Sequence, residues 1–518
     1  MRKLLFFLSL FFTIAFSSRV LAQKTDVNQI TADGYFDGKN YQQAYENYTK
    51  AIKSAGHDKI NLSILYSKRG QSLYHLEKFD DAIKDYTTAI DLNPYFVDAY
   101  WRRAIVYQHI GNYTATLNDY NTAISLVDST MSNVNKSILY LNLAHVDLQL
   151  QDYPAAFKAD SISISFNEQN AGAIMIRGDI NMALKKYDIA VQDFSTAMYG
   201  FKNDINGLSF AYEQRADAKS GLKHYKDAIN DYTMAININP DNASAYWNRA
   251  GAYHYNSDYE LASADYTKAM LYHKGDNVNL SKLYGDRAEN EAQETLLTKA
   301  IQDDSLAIAL DPTNMSAYFS KAFAYTQNSD YQLSIDVYNN IMKLTNGKNK
   351  VQSIIYYELA NNEYFLNHFD NVITDCTKSI ALNPGYSEPY YYRGKVYLKK
   401  MNNKELANKD FNQAVALDTT KQTVGYIFSL LYLGRADEAV NVLQSNLLGT
   451  TDNSIALSDY YNLACLYSLM NKPDEANIYL KKAIDSGYEK KYAMKDEDLD
   501  NIRNTDDYKA IMADKPVQ

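Results

Sequence analysis

The stretch that decides the fold is LYSKRGQSLYHLEKFDDAIKDYTTAIDLNP, residues 65–94 of a chain of 518 residues. Small residues stand at Gly70, Ala82 and Ala89, and large residues, several of them tyrosine, fill the spaces between them. At helical spacing, small residues let two helices approach closely, while large residues fill the grooves of the next element. The stretch therefore predicts a pair of closely packed helices.

The same pattern recurs along the chain, for example in residues 99–124, 211–240 and 389–400. The first small residue of each copy is Ala32, Gly70, Ala104, Ala144, Gly178, Ala216, Ala250, Ala288, Ala322, Ala360 and Gly394. The intervals alternate between 34 residues and 38 or 40, so the true period is a pair of repeats of about 72 residues. Four extra residues are close to one helical turn, so they extend a helix or form a loop without rotating the helix that follows.

This pattern resembles the tetratricopeptide repeat family, in which two antiparallel helices have small residues at positions 8, 20 and 27 and large ones at positions 4, 11, 17 and 24. The second unit has Tyr66, Gly70, Leu73, Phe79, Ala82, Tyr86 and Ala89 in those places. The resemblance implies an all-α, right-handed superhelical solenoid of about thirteen helix-turn-helix units, built as two-repeat super-units. The eleventh unit carries one extra residue near Asn403, and the twelfth is degenerate. We predict that the solenoid covers residues 23–485 and that an acidic capping segment covers residues 486–518.

The first 22 residues have the features of a signal peptide. Arg2 and Lys3 precede the apolar run Leu4–Phe16, and Ala22 provides a small residue at the cleavage position. We therefore expect an exported protein that starts near Gln23, stays in the periplasm or cell envelope or is secreted, and has no transmembrane segment in its mature form.

Composition and motifs exclude several classes of function. A net charge of −10 without basic clusters argues against a nucleic-acid partner. The sequence has no phosphate-binding loop, no Gly-x-Ser-x-Gly and no His-Glu-x-x-His motif, so we predict no catalytic residues, no cofactor and no enzyme activity. Cys376 and Cys465 have no evident metal-ligating neighbours, and we interpret both as buried small residues, although an exported protein could join them.

A repeated charge pair stands beside the small residues. Position 7 of seven units is arginine, and position 23 of the same units is aspartate: Arg69 and Asp85, Arg103 and Asp119, Arg177 and Asp193, Arg215 and Asp231, Arg249 and Asp265, Arg287 and Asp303, and Arg393 and Asp410. The fourth unit has neither charge and the tenth has Leu359 with Asp375. Because the two charges mostly occur together, we predict an arginine–carboxylate fork between the two helices of each unit.

The resemblance also implies an inner face, formed by positions 2, 5, 9, 12 and 13 of each first helix, which lines the concave surface in this family. Large residues recur at position 5, and we take six of them as candidate ligand-binding residues: Trp101, Met175, Trp247, Phe319, Tyr357 and Tyr391. They predict a scaffold that binds a protein or peptide, with an envelope glycan as the alternative ligand. The family's two-carboxylate clamp is not supported, since position 5 is not lysine or asparagine.

Overall fold

A computed structural model describes residues 26–293, 296–449 and 453–513 of the chain. The signal peptide predicted for residues 1–22 lies outside the described residues. The helices form two compact units, divided after His273, and each is described by itself.

The first unit consists of seven helix pairs. Its helices are α1 Val27–Asp37, α2 Tyr41–Ser54, α3 Lys59–His75, α4 Phe79–Leu92, α5 Val97–His109, α6 Tyr113–Ser125, α7 Asn133–Gln149, α8 Tyr153–Phe166, α9 Ala171–Ala183, α10 Tyr187–Gly200, α11 Ile205–Gly221, α12 Tyr225–Ile238, α13 Ala243–Tyr255 and α14 Tyr259–Tyr272. Each helix packs against its partner in the pair, and the second helix of each of the first six pairs also packs against the first helix of the following pair.

The second unit contains six further pairs and a closing segment. The paired helices are α15 Asn277–Gln293, α16 Leu297–Leu310, α17 Met315–Gln327, α18 Tyr331–Leu344, α19 Asn349–Phe365, α20 Phe369–Leu382, α21 Glu388–Lys399, α22 Lys404–Leu417, α23 Val424–Tyr432, α24 Ala436–Gly449, α25 Asn453–Leu469 and α26 Pro473–Asp485. The prediction of an all-helical chain with about thirteen pairs is confirmed for the described residues.

Close packing at position 8 explains the recurring small residue. A Cβ atom added at Gly178 would lie 2.4 Å from Cε1 of Phe194, and one added at Gly394 would lie 2.8 Å from Cε1 of Phe411. The alanines at this position are fully buried. A larger side chain there would push the two helices of the pair apart, because well-packed interiors leave no free volume.

The four extra residues of alternate repeats lengthen a helix. Helices α3, α7, α11, α15 and α19 each have 17 residues, whereas α5, α9, α13 and α17 each have 13. The extra turn is at the N-terminal end and carries a buried serine, which in α7, α11, α15 and α19 bonds to the second helix of the pair. For example, the Ser281 hydroxyl donates to the carbonyl of Ala307 at 2.7 Å.

A side chain from the next pair completes this contact. The Asn314 amide donates to the Ser281 hydroxyl at 2.9 Å, while its own carbonyl oxygen caps helix α17. Asn170 makes the same bond to Ser137 at 2.8 Å. At these junctions a long repeat and the short repeat after it are therefore joined by a specific polar contact.

The turn inside most pairs contains a residue in the left-handed region. It stands seven residues after the small position, and in nine of the described pairs it is not glycine, with φ between 54° and 66°: Lys39, Glu77, Gln151, Lys185, Lys223, Ser257, Ser329, Asn367 and Asn471. In the third pair it is Gly111, with a φ of 78°. This conformation ends the first helix and reverses the chain toward the second.

The closing segment packs on the end of the second unit. It consists of α27 Lys490–Ala493, a short 3-10 helix Glu497–Leu499 and α28 Asp506–Met512. Leu499, Ile502, Tyr508 and Met512 are buried in one apolar cluster with residues of α25 and α26. Cys465 belongs to the same cluster; it and Cys376 are both buried and are not joined to each other. Among the described residues, no helix is both long and apolar enough to cross a membrane.

Candidate functional site

The arginine and aspartate of each predicted pair form a salt bridge between the two helices of their unit. In all seven units the guanidinium donates to the carboxylate from Nε and Nη2 over distances of 2.6–2.9 Å. The aspartate side chains are only 2–9% exposed. A buried carboxylate needs such a partner. The prediction of a structural fork is confirmed, so these arginines are not a row of free anion sites.

Two further groups surround the guanidinium. The arginine lies 5.1–5.8 Å from the ring centre of the tyrosine three residues earlier in six units. In five units its Nη1 also donates to a threonine or serine of the preceding pair, as from Arg249 to Thr233 at 2.9 Å. The fork thus joins neighbouring repeats as well as the two helices of one repeat.

Three of the six candidate ligand-binding residues are almost fully buried. Trp101, Met175 and Tyr391 are 8%, 5% and 5% exposed, and each belongs to an apolar cluster that includes residues of the next helix pair. Tyr391, for example, lies against Phe411 and Phe428. In this conformation the three side chains contribute to packing between repeats and offer little surface to a ligand.

The other three candidates are half-buried. Trp247 makes an edge contact with His273, and Phe319 makes one with Tyr338. Tyr357 lies between Tyr386 and Tyr392, with both ring centres 5.4 Å away. The ligand-binding role of all six residues stays a prediction, and exposure now favours Trp247, Phe319 and Tyr357 for direct contact.

A basic cluster lies on the first helices of the second unit, on the predicted inner face. Lys395 and Lys399 lie on α21, Lys400 directly follows the last residue of that helix, and Tyr364 lies on α19. All four contact the closing segment of the same chain through Glu497 and Asp498. We call these four residues the lysine cluster.

The two carboxylates make several polar contacts there. Lys399 Nζ lies 2.7 Å from Asp498 Oδ1, and Lys400 Nζ lies 3.2 Å from Glu497 Oε2. Lys395 Nζ lies 3.4 Å from Glu497 Oε1, and the Tyr364 hydroxyl donates to the same carboxylate. Burial by itself would raise the pKa of Glu497, but the Tyr364 hydroxyl and the three ammonium groups together lower it to about 2.

The segment crosses several helix pairs in this position. Lys495 Nζ donates to Ser329 in the turn after α17, at 3.1 Å, and the Tyr461 hydroxyl on α25 donates to Asp496 at 2.8 Å. Residues 495–498 therefore contact the ninth, tenth, eleventh and thirteenth helix pairs. The arrangement binds a short acidic segment, which includes the start of the 3-10 helix Glu497–Leu499, mainly through side chains of the first helices.

The sequence interpretation missed the lysine cluster. It looked for carboxylate-binding lysines at position 5, whereas Lys395 and Lys399 occupy positions 9 and 13 of the eleventh unit. The signal was present in GKVYLKK, residues 394–400, as three lysines within one and a half turns of a helix. Its acidic partner lies 97 or more residues farther along the chain, and no periodicity links the two.

The inner face of the first unit has a different character. Asp179 and Asp217 stand at position 9 of adjacent pairs, and burial together with other nearby carboxylates raises the pKa of each to about 7. Asp217 is held by hydrogen bonds from Tyr232 and Asn248. This face is therefore lined by carboxyl groups that resist ionisation, and it has no counterpart of the lysine cluster among the residues described here.

The histidines do not assemble a metal site in the described part of the chain. His75 stacks on Tyr41 with ring centres 4.2 Å apart, and His109 lies 4.6 Å from the ring of Phe79. Burial lowers the pKa of His145 to about 4. No group of three or more histidine, cysteine, aspartate or glutamate side chains in residues 26–293, 296–449 and 453–513 could hold a metal ion.

Comparison with known proteins agrees with the fold. Residues 70–111 and 222–257 match a family model described as "TPR repeat", and residues 460–486 match one described as "Tetratricopeptide repeat". These three segments are similar to tetratricopeptide repeats. Proteins with these repeats mediate protein–protein interactions.

Two relatives and one solved structure illustrate the similarity. A DnaJ homolog subfamily C member 7 homolog of Dictyostelium discoideum is 35% identical over 119 residues, which is 23% of this chain and 22% of that protein. Mouse DnaJ homolog subfamily C member 7 is 23% identical over 349 residues, or 62% of this chain and 67% of that protein. A tetratricopeptide repeat protein from Parabacteroides merdae is 20% identical, with a TM-score of 0.39, over 47% of this chain and 91% of that one.

Proposed function

We propose that this chain is an exported, non-catalytic scaffold that binds protein or peptide partners through the inner faces of its helix pairs. The observation that supports the proposal most directly is the contact between the lysine cluster and residues 495–498. A short acidic segment lies against the first helices of neighbouring repeats there, and it is held by ion pairs and a tyrosine hydroxyl.

The half-buried aromatic residues supply the second part of the proposed binding surface. Trp247 in the first unit and Phe319 in the second present large apolar groups on this face. Aromatic side chains contribute much of the binding energy of protein interfaces, because they bury a large area at a small cost in conformational entropy.

A glycan ligand has less support than a protein. The alternative depends on a spaced row of rings that recurs every second unit, and two of its members, Trp101 and Tyr391, are more than nine-tenths buried. Stacking on a sugar requires an open ring face.

Site-specific photo-crosslinking in intact cells tests the proposal. A benzophenone amino acid replaces Trp247 or Phe319, with Tyr95 and Tyr199 as matched controls, since these two are 78% and 82% exposed. We expect protein adducts at Trp247 or Phe319 and none at the two control positions. Equal adducts at all four positions, or adducts that carry carbohydrate and no peptide, would contradict a protein-binding inner face.

Export is supported by Arg2, Lys3 and the apolar run that follows them, and it needs its own test. Mass spectrometry of the purified protein should find an N-terminus at or near Gln23, in an extracytoplasmic fraction. An intact Met1 in a cytoplasmic fraction would contradict the proposed location without affecting the binding proposal.

A further inference from the structure

A pocket of about 340 Å³ lies between α18, α19 and α20, in the one described pair that has an aspartate at position 23 and a leucine at position 7. Its lining includes Asn339, Tyr356, Leu359, Glu363, Asp375 and Lys378. Asn339 and Lys378 are exposed, so the pocket opens to solvent. Its volume is at the small end of the range of roughly 300–1,000 Å³ found for ligand pockets.

The repeat register shows what occupies the equivalent position in the sixth pair. Arg215 is bound there by Asp231, 16 residues later, through bonds of 2.8 Å, and by Ser195, 20 residues earlier, at 3.1 Å. The ring of Tyr212, three residues earlier, lies 5.3 Å from its guanidinium carbon.

All three partners of an arginine are present in the tenth pair, at the same intervals. Counted from Leu359, they are Asp375 at 16 residues later, Asn339 at 20 residues earlier and Tyr356 at three residues earlier, and all three line the pocket. Leu359 is buried but shorter than arginine and donates no hydrogen bond. The pocket therefore has the acceptor groups and the aromatic face of an arginine site, without an arginine from the chain.

The two carboxylates that line the pocket also favour the binding of a cation. The side chains of Asp375 and Glu363 are each only 13% exposed. Lys378 reaches Asp375 at 3.1 Å and lies 4.9 Å from the ring centre of Tyr356, but half of its side chain is in solvent. Glu363 is paired with His368, which is charged only when it is protonated. Burial raises the pKa of Asp375, although Lys378 lowers it.

We propose that this pocket binds the guanidinium group of an arginine side chain supplied by a partner protein. The planar guanidinium donates two parallel bonds to one carboxylate and stacks on a ring, whereas an ammonium group acts as a point charge. The bound side chain would form with Asp375 the fork that seven other pairs form internally, and Lys378 would move outward into solvent. The site lies beside the second helices α18 and α20, apart from the lysine cluster, and does not depend on the proposed function.

Saturation-transfer NMR on the full-length protein tests the proposal with three short peptides. They are acetyl-Gly-Arg-Gly-amide, its lysine counterpart and its citrulline counterpart, which keeps the shape of arginine without the charge. We expect binding of the arginine peptide at millimolar concentration, with at least tenfold weaker binding of the other two.

Three variants assign the binding to this pocket. Asp375→Asn should weaken binding of the arginine peptide at least tenfold, and Leu359→Arg should abolish it by filling the pocket from within. Leu359→Met keeps a side chain of similar volume and should bind as the wild type does. Leu359→Arg should also raise the midpoint of thermal unfolding, which shows that the variant folds and forms an eighth fork.

Three results would overturn the proposal: no binding of the arginine peptide to the wild type, equal binding of the citrulline peptide, or unchanged binding in Asp375→Asn. Unchanged binding in Leu359→Arg, with a lower unfolding midpoint, would equally show that the pocket is not an arginine site. Circular dichroism of each variant verifies that its helices are intact.

Discussion

Arg249 donates from Nε and Nη2 to the two oxygens of Asp265, at 2.6 and 2.9 Å. The pair lies beside Ala250, the small residue that lets α13 and α14 meet, and the same guanidinium reaches back to Thr233 of the preceding pair. The fork and the small residue thus act together at the place where three helices converge. The fourth pair has neither charge, because Leu143 and Ala159 stand at the two equivalent positions.

Removing one partner of this fork should destabilise the protein more than removing both. Arg249→Leu leaves Asp265 buried without its cation, and we expect a loss of about 3 kcal/mol in the free energy of unfolding. The double variant Arg249→Leu with Asp265→Ala reproduces the combination found in the fourth pair and should recover most of this loss. Hydrogen exchange of α13 and α14 measures the effect locally, because repeat arrays need not unfold in one step.

The exposed pair Arg435 and Glu438 provides the control for this cycle. Both side chains are 45% exposed, so Arg435→Leu should change stability by less than about 0.5 kcal/mol. If the effects of Arg249→Leu and Asp265→Ala were additive, the fork would not be the interaction that stabilises this pair.

A glycine at the left-handed turn position should stabilise the protein. Lys185 has a φ of 58°, a conformation that costs a residue with a side chain roughly 1 kcal/mol and costs glycine little. We expect Lys185→Gly to gain about 0.5 kcal/mol after the larger chain entropy of glycine in the unfolded state is subtracted. Urea unfolding measures the gain. Lys185→Ala, which keeps the strain, is the matched control and should gain nothing.

The sequence predicted well the features that repeat and predicted poorly those that do not. Gly70, Ala104 and their equivalents predicted the helix pairs, and the joint occurrence of arginine and aspartate predicted the forks. Both predictions were possible because each pattern recurs many times in one chain. The contact between Glu497 and Lys399 occurs once, between residues about a hundred positions apart. Only the packing of the closing segment on α25 and α26 brings them together.

The candidate ligand-binding residues show a second limit. The register assigned Trp101 and Trp247 to the same position, yet Trp101 is buried and Trp247 is half-buried. The same residue type at the same position is therefore covered by its neighbours to different extents. A periodic pattern specifies which face a side chain belongs to, but not how much of that face its neighbours cover.

Low pH should weaken the attachment of the closing segment. The contacts of Glu497 lower its pKa from 4.5 to about 2 in the folded protein, so it adds stability above pH 4.5 that is lost as the pH falls toward 2. Its side chain is 32% exposed, and after allowance for solvent screening we expect a contribution of about 1 to 2 kcal/mol at pH 6.

The variant Glu497→Gln isolates this contribution. At pH 6 it should be less stable than the wild type by that amount, and the difference should disappear by pH 2. Glu438→Gln removes a carboxylate from an exposed pair and should show almost no difference at either pH. A difference for Glu497→Gln that did not vary with pH would mean that the residue acts through packing and not through its charge.

Alkaline conditions should destabilise the first unit through Asp160. Its carboxyl group is fully buried, and both of its oxygens lack a hydrogen-bond partner. It stands at position 24, where the adjacent pairs have Tyr120 and Phe194. Burial raises its pKa to about 7, since the opposing effect of Arg177 is smaller. The pKa of this carboxyl group is higher in the folded protein than in the unfolded chain, where it is 3.8. Its contribution to the free energy of unfolding is therefore fully present below pH 3.8 and is lost as the pH rises through 7.

Replacing Asp160 should therefore change the pH profile as well as the stability. We expect Asp160→Leu to be more stable than the wild type at pH 8 by about 2 to 3 kcal/mol, since a buried ionised carboxyl group without a partner is replaced by an apolar side chain. At pH 4 the two proteins should differ less, because the carboxyl group is then protonated. Asp160→Asn, which keeps the shape but cannot ionise, should also lose this component of the pH dependence. Urea unfolding at both pH values measures it, and identical pH profiles for all three proteins would mean that Asp160 is hydrated or paired in solution.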